Sequence, residues 1–338
     1  MPSVDKRSLL DRVSATGRIE PADVRALRGL HYADGLVDPA EADFVFDLEQ
    51  RVREVVPDWS DFFVEAMTDH VVMQTEPHGY VGGETAQWLI GRLNEDGRIR
   101  SETELELLVR VVETARAVPF RLSAMALEEV RRAVVDGSGL TRHGALAPGQ
   151  ITMAEVALVR RVLYGAGGEG GVAVSREEAE ALFDIDDAVG HADNAETWAT
   201  LFAKAVGNYL MAAVLHETPS REDALRRQAW LDAPDDGASF LDRFVDGLTG
   251  IGNLIEGLTQ SLGDKVEQAH RETNARRARA IEEAERLSDG EVDWLVARMG
   301  RNGRLSRAEM ALVEFLRSGH GRLPVPVEAV VTRLERAA

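Results

Sequence analysis

One short phrase recurs along this chain: a glycine, an aliphatic residue two positions on, and then the start of a helix. It reads Gly17-Arg-Ile19, Gly97-Arg-Ile99, Gly149-Gln-Ile151 and Gly303-Arg-Leu305, with looser copies beginning at Gly35, Gly171 and Gly321. Repetition of this kind organises the chain, since self-similarity along a sequence marks a repeated architecture.

The phrases belong to a larger duplication. In the first half, Gly17 and Gly35 are followed by Phe46-Asp-Leu-Glu49, Trp59-Ser-Asp-Phe-Phe63, Trp88-Leu-Ile and Gly97. In the second, Gly149 and Gly171 are followed by Phe183-Asp-Ile-Asp186, Trp198-Ala-Thr-Leu-Phe202, Trp294-Leu-Val and Gly303. The expected organisation is a first unit over 1–136, a polar Gly-containing linker over 137–148, and a second unit over 149–234 and 288–338. One interval breaks the symmetry. Trp59 and Trp88 are 29 residues apart, whereas Trp198 and Trp294 are 96 apart. The second unit therefore carries 67 extra residues, read as an amphipathic and charged helical insertion over 235–287.

The expected class is all-α. Apolar residues return at three- and four-residue spacing, as in Leu105, Leu108, Val109, Val112 and in Val156, Leu158, Val159, Val162. Helix starts are written as Asp38…Glu41, Ser101…Glu104, Thr152…Glu155, Ser175…Glu178 and Ser306…Glu309. In this capping box the first side chain accepts an orphan backbone N–H and the glutamate reaches back to another. Pro39, directly after Asp38, suits the first helical position.

Composition narrows the function. The 338 residues carry 39 basic against 58 acidic side chains, a formal charge of −19. Binding nucleic acid needs clustered Lys and Arg to neutralise phosphate, so nucleic acid is not an expected partner. Cysteine is absent, which excludes disulfides, thiolate metal sites and a cysteine nucleophile. No stretch approaches the roughly 20 apolar residues of a membrane span, and Met-Pro-Ser-Val-Asp opens no signal peptide. A soluble cytoplasmic protein is expected.

A glycine with an aliphatic two residues on and an acid near plus six is also the second half of an EF-hand loop. Calcium there takes oxygen ligands from loop positions 1, 3, 5 and 12 around a glycine at 6. Aligned on the glycines, position 1 falls on Arg12, Arg92 and Arg298, and a cation there opposes a divalent ion. Asp34-Gly35-Leu-Val-Asp38-Pro-Ala-Glu41 is the most acidic copy. Together with Asn94-Glu-Asp96-Gly97-Arg-Ile99-Arg-Ser101-Glu-Thr-Glu104, it resembles the tellurite-resistance TerB-like all-α domain, itself superficially EF-hand-like. The resemblance implies tandem EF-hand-like or TerB-like helical units, an association with stress responses at the membrane, and acidic surfaces able to take metal. The candidate metal residues are Asp34, Asp38, Glu41, Asp96 and Glu104. The second unit departs from the pattern, with Pro148-Gly149 and Asn302-Gly303 in place of Asp-Gly.

Catalytic groups do not converge. There is no phosphate loop, no His-Glu-x-x-His and no Gly-x-Ser-x-Gly elbow. The glycine-rich 165–171 follows no strand and reads as a helix–helix connection. His70 shares an apolar face with Trp59, Phe63 and Ala66 and pairs with Tyr209 in the duplication, which suits packing. Asp61, Glu65 and Asp69 share one helix face and pair with Thr200, Lys204 and Asn208; a solvated face is the simplest account. No catalytic residue and no cofactor are expected.

The insertion is the most distinctive segment. Phe240, Leu241, Phe244, Val245, Leu248, Ile251, Leu254, Ile255, Leu258, Leu262 and Val266 fall mostly in one stripe about 120° wide on a helix. Gly247, Gly250, Gly252, Gly257 and Gly263 interrupt it, each costing roughly 0.5–1 kcal/mol against alanine. Such a helix needs a surface to fold on. Three are available: its own domain, a second copy or protein partner, and a membrane surface. The interaction residues expected are Phe240, Phe244, Leu248, Ile251, Ile255, Leu258 and Leu262. The function expected is therefore non-enzymatic binding or scaffolding through a protein partner or homo-oligomer. The alternative is a calcium-type metal sensor acting through the acidic loops of the first unit.

Overall fold

The computed structural model describes residues 5–31, 37–94, 98–142, 147–165, 174–190, 192–211, 288–320 and 323–336. Asp34 and Asp96, the glycine-rich 166–171, and the whole insertion with its interaction residues Phe240, Phe244, Leu248, Ile251, Ile255, Leu258 and Leu262 lie outside these residues.

The described residues form thirteen α-helices and no strand. In order they are α1 (Lys6–Thr16), α2 (Pro21–His31), α3 (Pro39–Glu49), α4 (Pro57–Thr68), α5 (Gly83–Leu93), α6 (Glu102–Thr114), α7 (Phe120–Asp136), α8 (Met153–Gly165), α9 (Arg176–Val189), α10 (Glu196–Met211), α11 (Asp289–Arg298), α12 (Arg307–His320) and α13 (Val325–Glu335). A π-helical turn, Asp69–Met73, continues α4.

Several of the helices begin at a side chain that caps them, whereas α4, α5, α7 and α13 start without a side-chain cap. Ser175 and Ser288 form complete capping boxes with Glu178 and Glu291. Asp38 accepts the Glu41 N–H at 2.7 Å and Ser101 accepts the Glu104 N–H at 3.0 Å. The recurring glycine has a backbone reason: Gly17, Gly149 and Gly303 sit at φ of 71°, 73° and 83°, where a side chain is strained. The aliphatic two residues on then turns inward, and Ile19, Ile99 and Ile151 are buried.

The buried apolar residues form one continuous cluster from Leu9 to Leu334. Helices α6 and α7 pack on α8, and α7 also packs on α9, so the halves share a core. Across that junction, Arg161 of α8 donates to Glu106 and Glu113 of α6, each at 2.7 Å. The described ends of the connection, 137–142 and 147–148, are anchored too. Arg142 and Glu155 have side chains 0% exposed and pair at 2.7 Å, while Arg142 also donates to the Ala147 and Gln150 carbonyls. A buried guanidinium needs this full set of acceptors, since an unpaired buried charge is prohibitively costly.

The same contacts recur at the positions paired in the sequence. Phe46 meets Phe63 edge-on at 5.1 Å, and Phe183 meets Phe202 at 4.9 Å. Trp88 lies on Phe46 at 5.4 Å and on His70 at 5.5 Å; Trp294 lies on Phe183 at 5.5 Å and on Tyr209 at 5.1 Å. Arg92 stacks over Phe46 at 5.3 Å, and Arg298 over Phe183 at 5.2 Å. These two arginines are the cations that the glycine alignment puts at loop position 1. Each stacks on an aromatic ring and pairs with helix acids: Arg92 with Asp47 at 2.8 Å, Arg298 with Asp184 at 2.7 Å.

Candidate functional site

Three of the five candidate metal residues are described, and all three act at helix starts. Asp38 caps α3. Glu41 accepts from Lys6 at 3.2 Å. Glu104 is buried and accepts the Arg100 N–H at 2.9 Å. Among the described residues, no group of three or more His, Asp or Glu is placed to hold a metal ion. His70 contacts the Val37 carbonyl through Nδ1 at 2.7 Å and packs on Trp88, a structural placement.

Two buried carboxylates tie helices together. Glu49, at the end of α3, accepts from the Trp59 indole of α4 at 2.6 Å and from Ser101, the N-cap of α6, at 2.9 Å. Asp186 of α9 accepts from Trp198 of α10 at 2.9 Å and from Ser306, before α12, at 2.6 Å. Burial pushes the Glu49 carboxyl up to about 7 and Asp186 to about 6, against the lowering effect of the donated hydrogen bonds. Both are buried and join elements, and only Asp186 borders an opening, a pocket of about 20 Å³.

An open site lies elsewhere, between α4, its π-turn and α6. This groove of about 420 Å³ is lined from α4 by Ser60, Asp61, Val64, Glu65 and Thr68, and from the π-turn by Asp69 and Met73. Thr103, Glu106, Arg110 and Thr114 line it from α6. The α4 residues share one face because 3.6 residues complete a turn. On the floor, the Ser60 and Thr103 hydroxyls meet at 3.1 Å. Thr68 is 8% exposed, and its hydroxyl has no hydrogen-bond partner among the described residues.

The paired helices of the second half carry no such lining. With Trp59 matched to Trp198 and the cap Ser101 to Ser306, the groove positions become Ala199, Thr200, Ala203, Lys204, Gly207 and Asn208 on α10. On α12 they become Ala308, Ala311 and Phe315. There the Phe315 ring lies so close to Gly207 that even a Cβ would overlap it. One helix pair closes on small and aromatic residues; the other leaves a groove lined by hydroxyls and charges.

Asp61, Glu65 and Asp69, whose helical spacing predicts a solvated face, instead border a groove that Thr68, Met73, Thr103 and Arg110 complete. The signal lay in the pairing itself: Thr68 against Gly207 and Arg110 against Phe315 exchange polar for filling residues. No protein family, no curated protein and no solved structure matches this chain.

Proposed function

We propose that the protein is a non-enzymatic binding or scaffold protein built from two tandem helical units, acting through association with a second copy or a protein partner. The stress-response setting implied by the TerB-like resemblance belongs to the same reading. The observation that carries it concerns the flanks of the long insertion. Tyr209, near the end of α10, and Trp294, in α11, pack ring on ring at 5.1 Å, although 84 residues of sequence separate them. The paired contact in the first half, His70 on Trp88 at 5.5 Å, is joined by 17 residues. The frame thus closes the same contact with a short connection or a long one. The extra residues, among them the stripe Phe240 to Leu262, are an addition to that frame. A buried Leu, Ile or Phe gains about 1.5–3 kcal/mol over an exposed one, so a stripe this long is stable only when covered.

Leu248→Asp combined with Ile255→Asp tests the self-association form. Light scattering of the intact chain should give a multiple of 37.0 kDa, and the double variant should fall towards 37.0 kDa with its helical content kept. A 37.0 kDa particle in both cases contradicts self-association.

A further inference from the structure

We propose that the groove between α4 and α6 is a binding site for a linear polyamine. Its charge is uneven in a way that selects a cation. Of the four carboxylates on its rim, Glu65 is taken by Arg28 at 2.7 Å and Glu106 by Arg161 at 2.7 Å. Asp61 and Asp69 form no ion pair among the described residues. The one cation on the wall, Arg110, stands 4.0 Å from Glu106 on the α6 side. The α4 side therefore presents two uncompensated negative charges.

Their spacing sets the shape of the ligand. Asp61 and Asp69 are eight residues apart, so they lie about 12 Å apart along the helix at 1.5 Å per residue. That separation is too wide for a single metal ion, whose oxygen ligands converge at 2.0–2.6 Å, roughly. It matches the distance between the terminal nitrogens of a short linear triamine. Between the two acids the floor offers what such a chain needs. Val64 supplies apolar contact for methylenes, and the half-exposed Met73 does so at the π-turn end. Thr68 lines the floor and holds an unpartnered, nine-tenths buried hydroxyl, which a rotation about its Cα–Cβ bond would turn to accept from an inner amine. A buried hydroxyl left unpaired is disfavoured, and a ligand N–H would relieve that cost. The second half supplies an internal contrast. There the paired positions replace both aspartates by Thr200 and Asn208, put Lys204 between them, and fill the space with Phe315 over Gly207.

Calorimetric titration of the intact chain with spermidine tests this. The expected result is one saturable site, weakened at least tenfold in Asp61→Asn with Asp69→Asn. Thr68→Val should weaken it severalfold without lowering the melting temperature. Met73→Lys, which places a competing ammonium at the exposed end, should abolish it. A control pair outside the groove lining, Asp11→Asn with Glu314→Gln, removes the same charge and should stay within twofold of the unaltered chain. Absence of saturable heat overturns the proposal. So does equal weakening in the control pair, which would mean diffuse attraction to a chain of charge −19. Unchanged affinity in Thr68→Val or in Met73→Lys also overturns it, because the floor and the mouth would then not hold the ligand. These outcomes are independent of whether the insertion mediates association.

Discussion

At the scale of single residues, the twin carboxylates Glu49 and Asp186 give the molecule an unusual pH response. Burial raises both, Glu49 from 4.5 to about 7 and Asp186 from 3.8 to about 6. Between its ordinary and raised values such a group holds more proton in the folded chain than in the unfolded one. Stability contributed by Glu49 is therefore complete below about pH 4.5 and is lost as pH rises through 7. For Asp186 the corresponding window runs from 3.8 to about 6. At about 1.4 kcal/mol per pKa unit, the Glu49 effect is of order 3 kcal/mol. Denaturant titrations at pH 5 and pH 7 should show the Glu49→Gln variant losing less stability over this interval than the unaltered chain. Equal losses would mean that Glu49 is ionised throughout. Glu104 and Arg100 lie close enough to act on Glu49 in opposite directions, and burial outweighs both.

At the scale of elements, the contrast between α4/α6 and α10/α12 shows how one helix pairing takes two forms. Gly207 permits the close approach of Phe315, and alanine there should cost stability despite its better helix propensity. Overpacking costs about 1–3 kcal/mol and the helical gain is at most about 1 kcal/mol. Gly91 of α5 has nothing within 4 Å of its would-be Cβ. Gly91→Ala should therefore raise stability by about 0.5–1 kcal/mol. Thermal melts of the two variants should move in opposite directions; a stabilised Gly207→Ala would show that the Phe315 ring moves aside freely. Helix starts were legible because each is written locally, in a cap and the glutamate three residues on: Asp38, Ser101, Thr152, Ser175 and Ser306 all precede helices. The aromatic contacts were legible from the paired Phe and Trp positions. The groove was not, because no local pattern distinguishes an acid beside open space from one on a solvated face. Nor did the polar composition of 137–148 reveal Arg142, whose burial depends on Glu155 and on the carbonyls of Ala147 and Gln150.

At the scale of the whole molecule, a duplicated order of glycines, phenylalanines and tryptophans accompanies one shared hydrophobic core. No described helix is long and apolar enough to cross a membrane. Calcium or magnesium calorimetry addresses the metal-sensing alternative, where saturable heat lost in Asp34→Asn with Glu41→Gln would favour it. The association account makes a sharper demand, because it assigns recognition to a stripe that the paired contact on the other side does without. Quantitative affinity capture tests it most directly, with tagged intact chain and the Leu248→Asp, Ile255→Asp variant as baits in cells that also express an untagged copy. The account predicts that at least one protein, the untagged copy or another, is enriched about tenfold by the intact chain and lost from the folded variant. Identical captured sets for the two baits would contradict it.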